Sequence, residues 1–532
     1  MKRGETMKRI SIAILLFLAL FLVTAAPAAK PAPAREKETV ADTVVSLLGR
    51  LPETWRLKRE ARALARTLPD YPVTPPLPDS GLIYSWIEEL CATPHRRPGT
   101  AEDRRAEEFL ADRLREFGVQ DVTLEPVPLT VWSARRWALT VGGEAMDGFY
   151  VVNSGFTGPE GVTAPLLWVG EGSARDFDRA DARGKIVVAE VRFPYLPAGL
   201  LLKTTGAAYA VSDPDGFFTL GSGQYLNFVR TNFRGGTTAE TAPPTDVYWN
   251  AVKRGARGVL LILRDQPSRY NTHYGPYDGI MKPLPALWIG KYDGPRLKAL
   301  ALAGTSATLT LEGEAVPGEM RNVWGVLPGV SPEIVLITSH HDSPFTGAVE
   351  DAAGAAQVLA QAWAWARVRP EERARTLVFV IDGGHFYGSL GGRAFAAAHP
   401  DLMRRTRVLL TLEHLGAKEV EEREGEYAET GRPALTVMFT TPDPRVLAAV
   451  MKALARKPPP LTIAIPADFF GPAPTSDAAG YVLEAGVPVV SWIGCPYYLL
   501  DSGDTLDKID RESLDDIAAT AAELVKNFLA EK

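Results

Sequence analysis

The chain has 532 residues but only two cysteines and seven histidines. Two cysteines cannot build the usual four-ligand structural zinc site, nor staple a disulfide miniprotein. Any site that uses imidazole must draw on a scarce supply. A strong charge of one sign is also missing: 58 Lys and Arg face 64 Asp and Glu, for a formal net charge of −6. That balance excludes a polyelectrolyte and argues against a nucleic-acid partner, which calls for a basic surface. Long apolar runs are absent except for one near the N-terminus. What is present is ordinary globular composition, 46 % hydrophobic and 23 % charged, at a length that suggests roughly two to four domains.

The one apolar run, residues 10–23, follows Met7-Lys8-Arg9 and precedes Ala25-Ala26-Pro27-Ala28-Ala29. A basic start, an apolar stretch shorter than the ~20 residues of a membrane span, and small residues after it describe a secretory signal peptide over residues 1–29. The alternative is an uncleaved membrane anchor. The mature chain is expected to be secreted or extracytoplasmic, with no stable membrane span. Export permits, without requiring, a disulfide between Cys91 and Cys495.

Residues 30–79 read as a prefix: a charged helical stretch, then prolines at 69, 72, 75, 76 and 78 that prevent regular helix and suggest a linker. A helix is expected after Thr100, which can cap it, with Phe109, Leu110, Leu114 and Phe117 at helical spacing and Gly118 as its stop. Between 131 and 318 the pattern turns to short apolar runs separated by Gly, Pro and Asp, at 164–169, 185–191, 258–263 and 285–289, which predict a β-rich insert. Within it, residues 195–250 form a long excursion without clear periodicity. From 322 onward, strand runs at 334–338, 376–381, 408–412, 435–440 and 488–493 alternate with helical stretches. The fold class expected is therefore α/β, a mainly parallel sheet covered by helices on both faces, formed by residues 80–130 and 319–532 around the insert.

Ligands and catalysts collect at the carboxyl ends of strands in such sheets. Here those ends read Ser339-His340-His341-Asp342-Ser343, Asp382-Gly383-Gly384-His385 and Glu413-His414-Leu415-Gly416. Four of the seven histidines stand at successive strand ends beside carboxylates, which is the ligand chemistry of zinc. Asp342 is placed to orient the His340 ring. His95, His273 and His399 read as structural.

These strings, in order, resemble the secreted co-catalytic zinc aminopeptidases and their glutamate carboxypeptidase relatives, metallopeptidase family 28. The likeness is carried by "PHRRPGT" at 94–100, "SHHDS" at 339–343, "GAVEDAAGA" at 347–355, "DGGHFYGSLGGRAF" at 382–395, "LEHLG" at 412–416 and "GDTLDKID" at 503–510. "ADARGKIVV" at 180–188, "AVKRGARGVLLI" at 251–262 and "NVWGVLPG" at 322–329 likewise resemble an inserted protease-associated domain. The resemblance implies two zinc ions about a bridging Asp. It places His340 at the histidine of the H-x-D motif, Glu350 at the bridging Asp and Glu413 at a later ligand Asp. His385 falls at the general-base Glu, Phe386 at the neighbouring ligand Glu, and Leu500 at the C-terminal ligand His.

Both ligands unique to one metal are thus replaced by apolar residues, and the expectation is a single zinc held by His340, Glu350 and Glu413. His385 is a fourth ligand or the substitute base, with Asp342 beside His340. A register shift of one residue would put His385 at the lost ligand and Gly384 at the base. Asp351, His414 and Asp501 are further donors within reach in sequence. Residues around Thr475-Ser476-Asp477 and Tyr497-Tyr498 lie where family members line the substrate pocket.

The function expected is a metal-dependent exopeptidase of aminopeptidase type acting on a peptide or protein substrate. The first alternative is a catalytically inactive peptide- or protein-binding member of the same fold. A second makes the strand-end groups an ordinary hydrogen-bonded network in a transport or storage protein. The six Glu between 419 and 429 read as a solvated loop.

Overall fold

Buried apolar runs alternating with helices after residue 322 build a sheet whose central strands are parallel. The computed structural model describes residues 40–192, 195–196, 199, 206–219, 222–225, 246–276 and 278–531. The signal-peptide segment 1–29 and most of the 195–250 excursion lie outside the described residues. Among the described residues no helix is long and apolar enough to cross a membrane.

In spatial order the strands are Ser306–Leu327, Arg375–Asp382, Ser331–His340, Thr406–Glu413, Val489–Gly494, Thr436–Thr440 and Thr462–Pro466. Ser331–His340 pairs in parallel with both Arg375–Asp382 and Thr406–Glu413, and the latter in parallel with Val489–Gly494. Ser306–Leu327 and Thr436–Thr440 join antiparallel on either side. Alternate side chains serve two cores, as strand geometry requires. Val335 and Ile337 pack with the helices Gly354–Ala366, Pro444–Arg456 and Leu514–Ala530, while Ile334 and Leu336 pack with Leu390–Ala398 and Ala478–Ala485. Both faces are therefore covered, and the carboxyl ends of three parallel strands place His340, Asp382 and Glu413 side by side.

The helix Ala101–Phe117 begins at Thr100, whose side chain accepts from the Asp103 N–H, and ends at Gly118 with φ of 91°. The prefix is docked rather than a loose linker. Leu57 and Ala61 of the helix Val40–Thr67 are buried in the main core. Beyond it, Lys452 Nζ donates to the carbonyls of Leu68 and Pro69 at 2.7 and 2.9 Å. Tyr71 Oη accepts from the Ala374 N–H at 2.9 Å. Prolines there leave carbonyls free for such contacts because they cannot continue a helix.

Two 22-residue strands, Gln120–Val141 and Ser306–Leu327, pair antiparallel along almost their whole length. The positions 130/131 and 318/319 fall inside this ribbon, so the chain passes between the two regions through continuous strands. Beyond it, Val162–Trp168, Ile186–Val191, Gly258–Leu263 and Ala286–Ile289 pair in parallel around a second core. That core also takes in Phe345 and Phe386 from the loops beside the strand ends. The 131–318 region therefore rests against the site.

The acidic stretch at 419–429 is not a solvated loop. It lies in an antiparallel hairpin, Lys418–Arg423 with Glu426–Pro433, whose carboxylates find cations. Lys418 reaches Glu429 at 3.0 Å and Lys291 reaches Glu422 at 2.5 Å. The Gly425 carbonyl accepts from the Arg269 N–H at 2.7 Å, fastening the hairpin to the second region. Cys91 and Cys495 are both free thiols.

Candidate metal centre

His340 closes its strand and is fully buried; its Nδ1 lies 3.1 Å from the Asp342 carbonyl and 3.4 Å from Asp342 Oδ1. His341, one residue on, points to the opposite side, as successive residues of extended chain do. Its Nδ1 is 3.0 Å from Asp103 Oδ1 and its Nε2 is 3.1 Å from the Arg321 carbonyl. Of the four strand-end histidines, three converge and His341 does not.

The converging rings are His340, His385 and His414, gathered about Glu350. His414 Nε2 is 2.9 Å from Glu350 Oε2, His385 Nε2 is 3.4 Å from Oε1, and His340 Nε2 is 3.7 Å from Oε1. His340 and His414 face one another with their Nε2 atoms 3.3 Å apart. Glu350 is held from behind: Asp504 accepts its N–H at 2.8 Å and that of Val349 at 2.9 Å.

Asp351 faces inward as a positioning carboxylate. It accepts from Ser339 Oγ and, at 2.8 Å, from the His414 N–H, while its Oδ2 stays 3.8 Å from His340 Nε2. Glu413 Oε1 accepts from the Asp477 N–H at 2.7 Å; its Oε2 is buried without a hydrogen-bond partner among the described residues. Asp342 Oδ1 accepts from the His385 N–H at 3.3 Å. Asp501 lies elsewhere, taking bonds from Gln266 Nε2 at 2.9 Å and from the Gly503 N–H at 2.7 Å, and the structure does not bring it into the cluster. The remaining histidines have local partners: His95 on the Pro344 carbonyl at 2.8 Å, His399 on Glu125 at 3.0 Å, and His273 edge-on to Trp288.

Two participants escaped the sequence reading. Asp477, immediately before the helix Ala478–Ala485, receives His385 Nδ1 at 2.7 Å and Ser389 Oγ at 2.7 Å. Asp504 supports Glu350 as described. Their signals were weak: Asp477 stood in a loop marked only as pocket lining, and Asp504 in the "GDT" string.

Charge is concentrated and mutually compensated. Burial pulls His340 toward neutrality, but Asp351, Asp477 and Asp342 outweigh it and hold its pKa well above the ordinary value. Burial acts likewise on His414, and Glu350 and Asp351 bring it to about 9. Glu350 is raised by burial but held below the usual range by His414, His385 and His340. Glu413 is pushed up to about 7, by burial first and then by the Asp477 charge. Asp477, despite its burial, is held well down by His385 and His340.

The donor set fits a divalent borderline metal. Ligands at 2.0–2.1 Å from a tetrahedral zinc stand about 3.3–3.4 Å apart. The His340, His414 and Glu350 atoms are separated by 2.9 to 3.7 Å. Each ring's other nitrogen is fixed by a carbonyl or carboxylate, as ligating histidines require. The positions that the resemblance assigns to a second metal hold Phe386, fully buried against Tyr274 at 5.1 Å between ring centroids, and Leu500, packed between the two cores.

Fold and site together define an α/β domain with a buried set of imidazole and carboxylate donors at the carboxyl ends of parallel strands. Residues 322–525 match the model of peptidase family M28. Among solved structures, the chain is similar to a zinc aminopeptidase from Bacillus subtilis, at 20 % identity and a TM-score of 0.60, over 85 % of this chain and 95 % of that one. It is also similar to an aminopeptidase from Aneurinibacillus sp. strain AM-1 (22 % identity, TM-score 0.57, 84 % and 93 % covered). A peptidase M28 precursor from Shewanella amazonensis SB2B matches at 19 % identity and a TM-score of 0.62, over 91 % and 97 %. No curated protein sequence matches the chain.

Proposed function

We propose that this protein is a secreted, metal-dependent exopeptidase of aminopeptidase type with a single zinc site. The observation that carries this reading is the convergence of buried imidazoles on Glu350 at the strand ends, beside apolar Phe386 and Leu500 where a second metal's ligands would stand. His340 and Glu350 would hold the ion, with a third donor from the Glu413–His414 pair. Zinc in such a site supplies Lewis acidity to the scissile carbonyl and to water.

The chain's own groups supply the rest. Asp477 fixes His385 with Nδ1 toward the carboxylate, so that Nε2 is presented beside Glu350 as a proton acceptor. Glu413, brought near neutrality in its pKa, can hold a proton and return it to a leaving amine. The buried carboxylates Asp342, Glu350, Asp351 and Asp477 outnumber the three converging imidazoles, which favours a cationic substrate end, the free α-amine, over a carboxylate end. Signal cleavage near Ala29 and export complete the reading.

The test is hydrolysis of a panel of aminoacyl anilides and dipeptides by the purified mature chain, with zinc and with a chelator. Metal-dependent turnover is expected. Binding of peptides without turnover, in a folded and zinc-loaded protein, would instead establish the inactive binding member.

A further inference from the structure

We infer that Arg97 is a carboxylate-binding residue beside this site, holding the C-terminal α-carboxylate of a short peptide whose amino end lies at the buried cluster. The sequence sets two arginines side by side, and the fold uses them differently. Arg96 is fully buried, and all three of its nitrogens donate to carbonyls: Nε to His341 at 3.1 Å, Nη1 to Leu90 at 2.8 Å and Nη2 to Gly347 at 3.0 Å. Arg97 is half-buried. Its Nε and Nη2 donate to the Pro344 carbonyl at 3.3 and 3.1 Å. Among the described residues its Nη1 has no acceptor, and no carboxylate lies within ion-pair distance of it. Other cations nearby are already paired, Lys282 with Asp278 at 2.7 Å and Arg269 with Glu426. A guanidinium without a counter-charge presents its N–H fork to an anion from outside, and a planar carboxylate fits that fork.

The surroundings of Arg97 set the length of that peptide. Its guanidinium carbon lies 5.0 Å from the Tyr274 ring centroid and 5.9 Å from that of Tyr150. Rings on its face leave the edge of the fork free. Phe386 stands edge-on to Tyr274 at 5.1 Å, and His385 edge-on to Phe386 at 5.1 Å. Three such steps separate the cation from the cluster, and an extended chain covers about 3.3–3.6 Å per residue. A peptide of at most about four residues therefore spans the distance. The Tyr274 phenol, raised first by burial, is lowered by Arg97 and raised by Asp342, so cation and cluster act on one ring. The buried carboxylates draw the α-amine and Arg97 draws the α-carboxylate. A short peptide is thus held by both termini, and a long one by its amine alone.

This inference rests on the aminopeptidase-type reading for the direction in which the peptide lies, and its test keeps the two apart. Tri-alanine, its C-terminal amide and Ala-Ala-Glu amide, whose one carboxylate is a side chain, are compared as substrates of the zinc-loaded chain. Where no turnover is seen, the same three peptides are titrated calorimetrically. Tri-alanine is expected to show a KM, or a Kd, about 10-fold below that of its amide, with kcat alike. Hexa-alanine and its amide, too long to be held at both ends, should not differ. In Arg97→Gln the difference between acid and amide is expected to vanish, and Arg97→Lys, which keeps the charge, should restore part of it. A merely structural Arg97 would raise both KM values together and leave their ratio, which overturns the inference. So would equal KM values for acid and amide in the wild type, or tighter use of Ala-Ala-Glu amide than of tri-alanine, which gives Arg97 to an acidic side chain. Arg97-dependent binding of tri-alanine without cleavage would sink the peptidase reading alone. Cleavage of acid and amide alike would sink this inference alone.

Discussion

The two sides of the site obey opposite rules. On one, His340, His414, His385 and Glu350 are buried together, and each polar group faces another. On the other, where the resemblance places a second metal, Phe386 joins Tyr274 and the second core, and Leu500 fills the space between the cores. A buried ligand set is costly unless all of it is satisfied. The polar side presents donors; the other is packed as ordinary core.

The largest effect is expected where the polar side is broken. His340→Ala removes the ring that opposes His414 and leaves Glu350, Asp351 and Asp342 without it, so zinc content should fall to background. Hydrolysis, measured in excess zinc, should drop at least about 100-fold. Unchanged metal content would reduce the cluster to a hydrogen-bonded network. Next in size is the attempt to make the two sides alike again. Phe386→Glu with Leu500→His restores the ligand types that the resemblance expects, and mass-spectrometric stoichiometry should move from one ion per chain toward two. Without metal, this double variant should be destabilised by about 3–5 kcal/mol, since it removes a buried aromatic ring and buries charge. A wild-type stoichiometry of two would abolish the contrast itself.

Much of the fold was legible because its signals are local. The apolar runs at 334–338, 376–381 and 408–412 are strands, and Thr100 and Gly118 bound the helix between them. The strand Thr462–Pro466 was not anticipated, nor the docking of the prefix, because both depend on contacts with distant segments. At the site, the strand-end pattern brought His340 and Glu413 to the same end of the sheet, and the family resemblance added Glu350. Spacing does not report ring direction. It could not show that His341 turns toward Asp103 while His414 turns inward, or that Asp477 lies 2.7 Å from His385 across 92 positions of chain.

That last pair gives a prediction of intermediate size. Asp477→Asn keeps the volume but removes the charge that fixes His385, so kcat is expected to fall about 10–100-fold with zinc affinity little changed. An equal loss of metal would make Asp477 a ligand, and the boundary drawn through His385 would move.

The smallest effect comes from an imidazole on the apolar side. His273 stands next to Tyr274 and edge-on to Trp288, and burial pushes its pKa down to about 3. His414, equally buried but facing Glu350, is raised to about 9. Burial is common to both, so the partner decides the sign. Linkage then fixes the pH dependence. Between about pH 6.5 and 3 the unfolded chain binds a proton at His273 that the folded chain refuses, so stability falls as the pH falls through that window. The loss should be about 2 kcal/mol at pH 5 relative to pH 7. His273→Gln removes the titration, and urea midpoints at the two pH values should then differ less than in wild type. The change in slope, rather than the absolute stability, is the readout, because Gln also alters the packing on Trp288. An unchanged slope would show that the apolar side admits a charged imidazole, and the contrast between the two sides would lose its electrostatic basis.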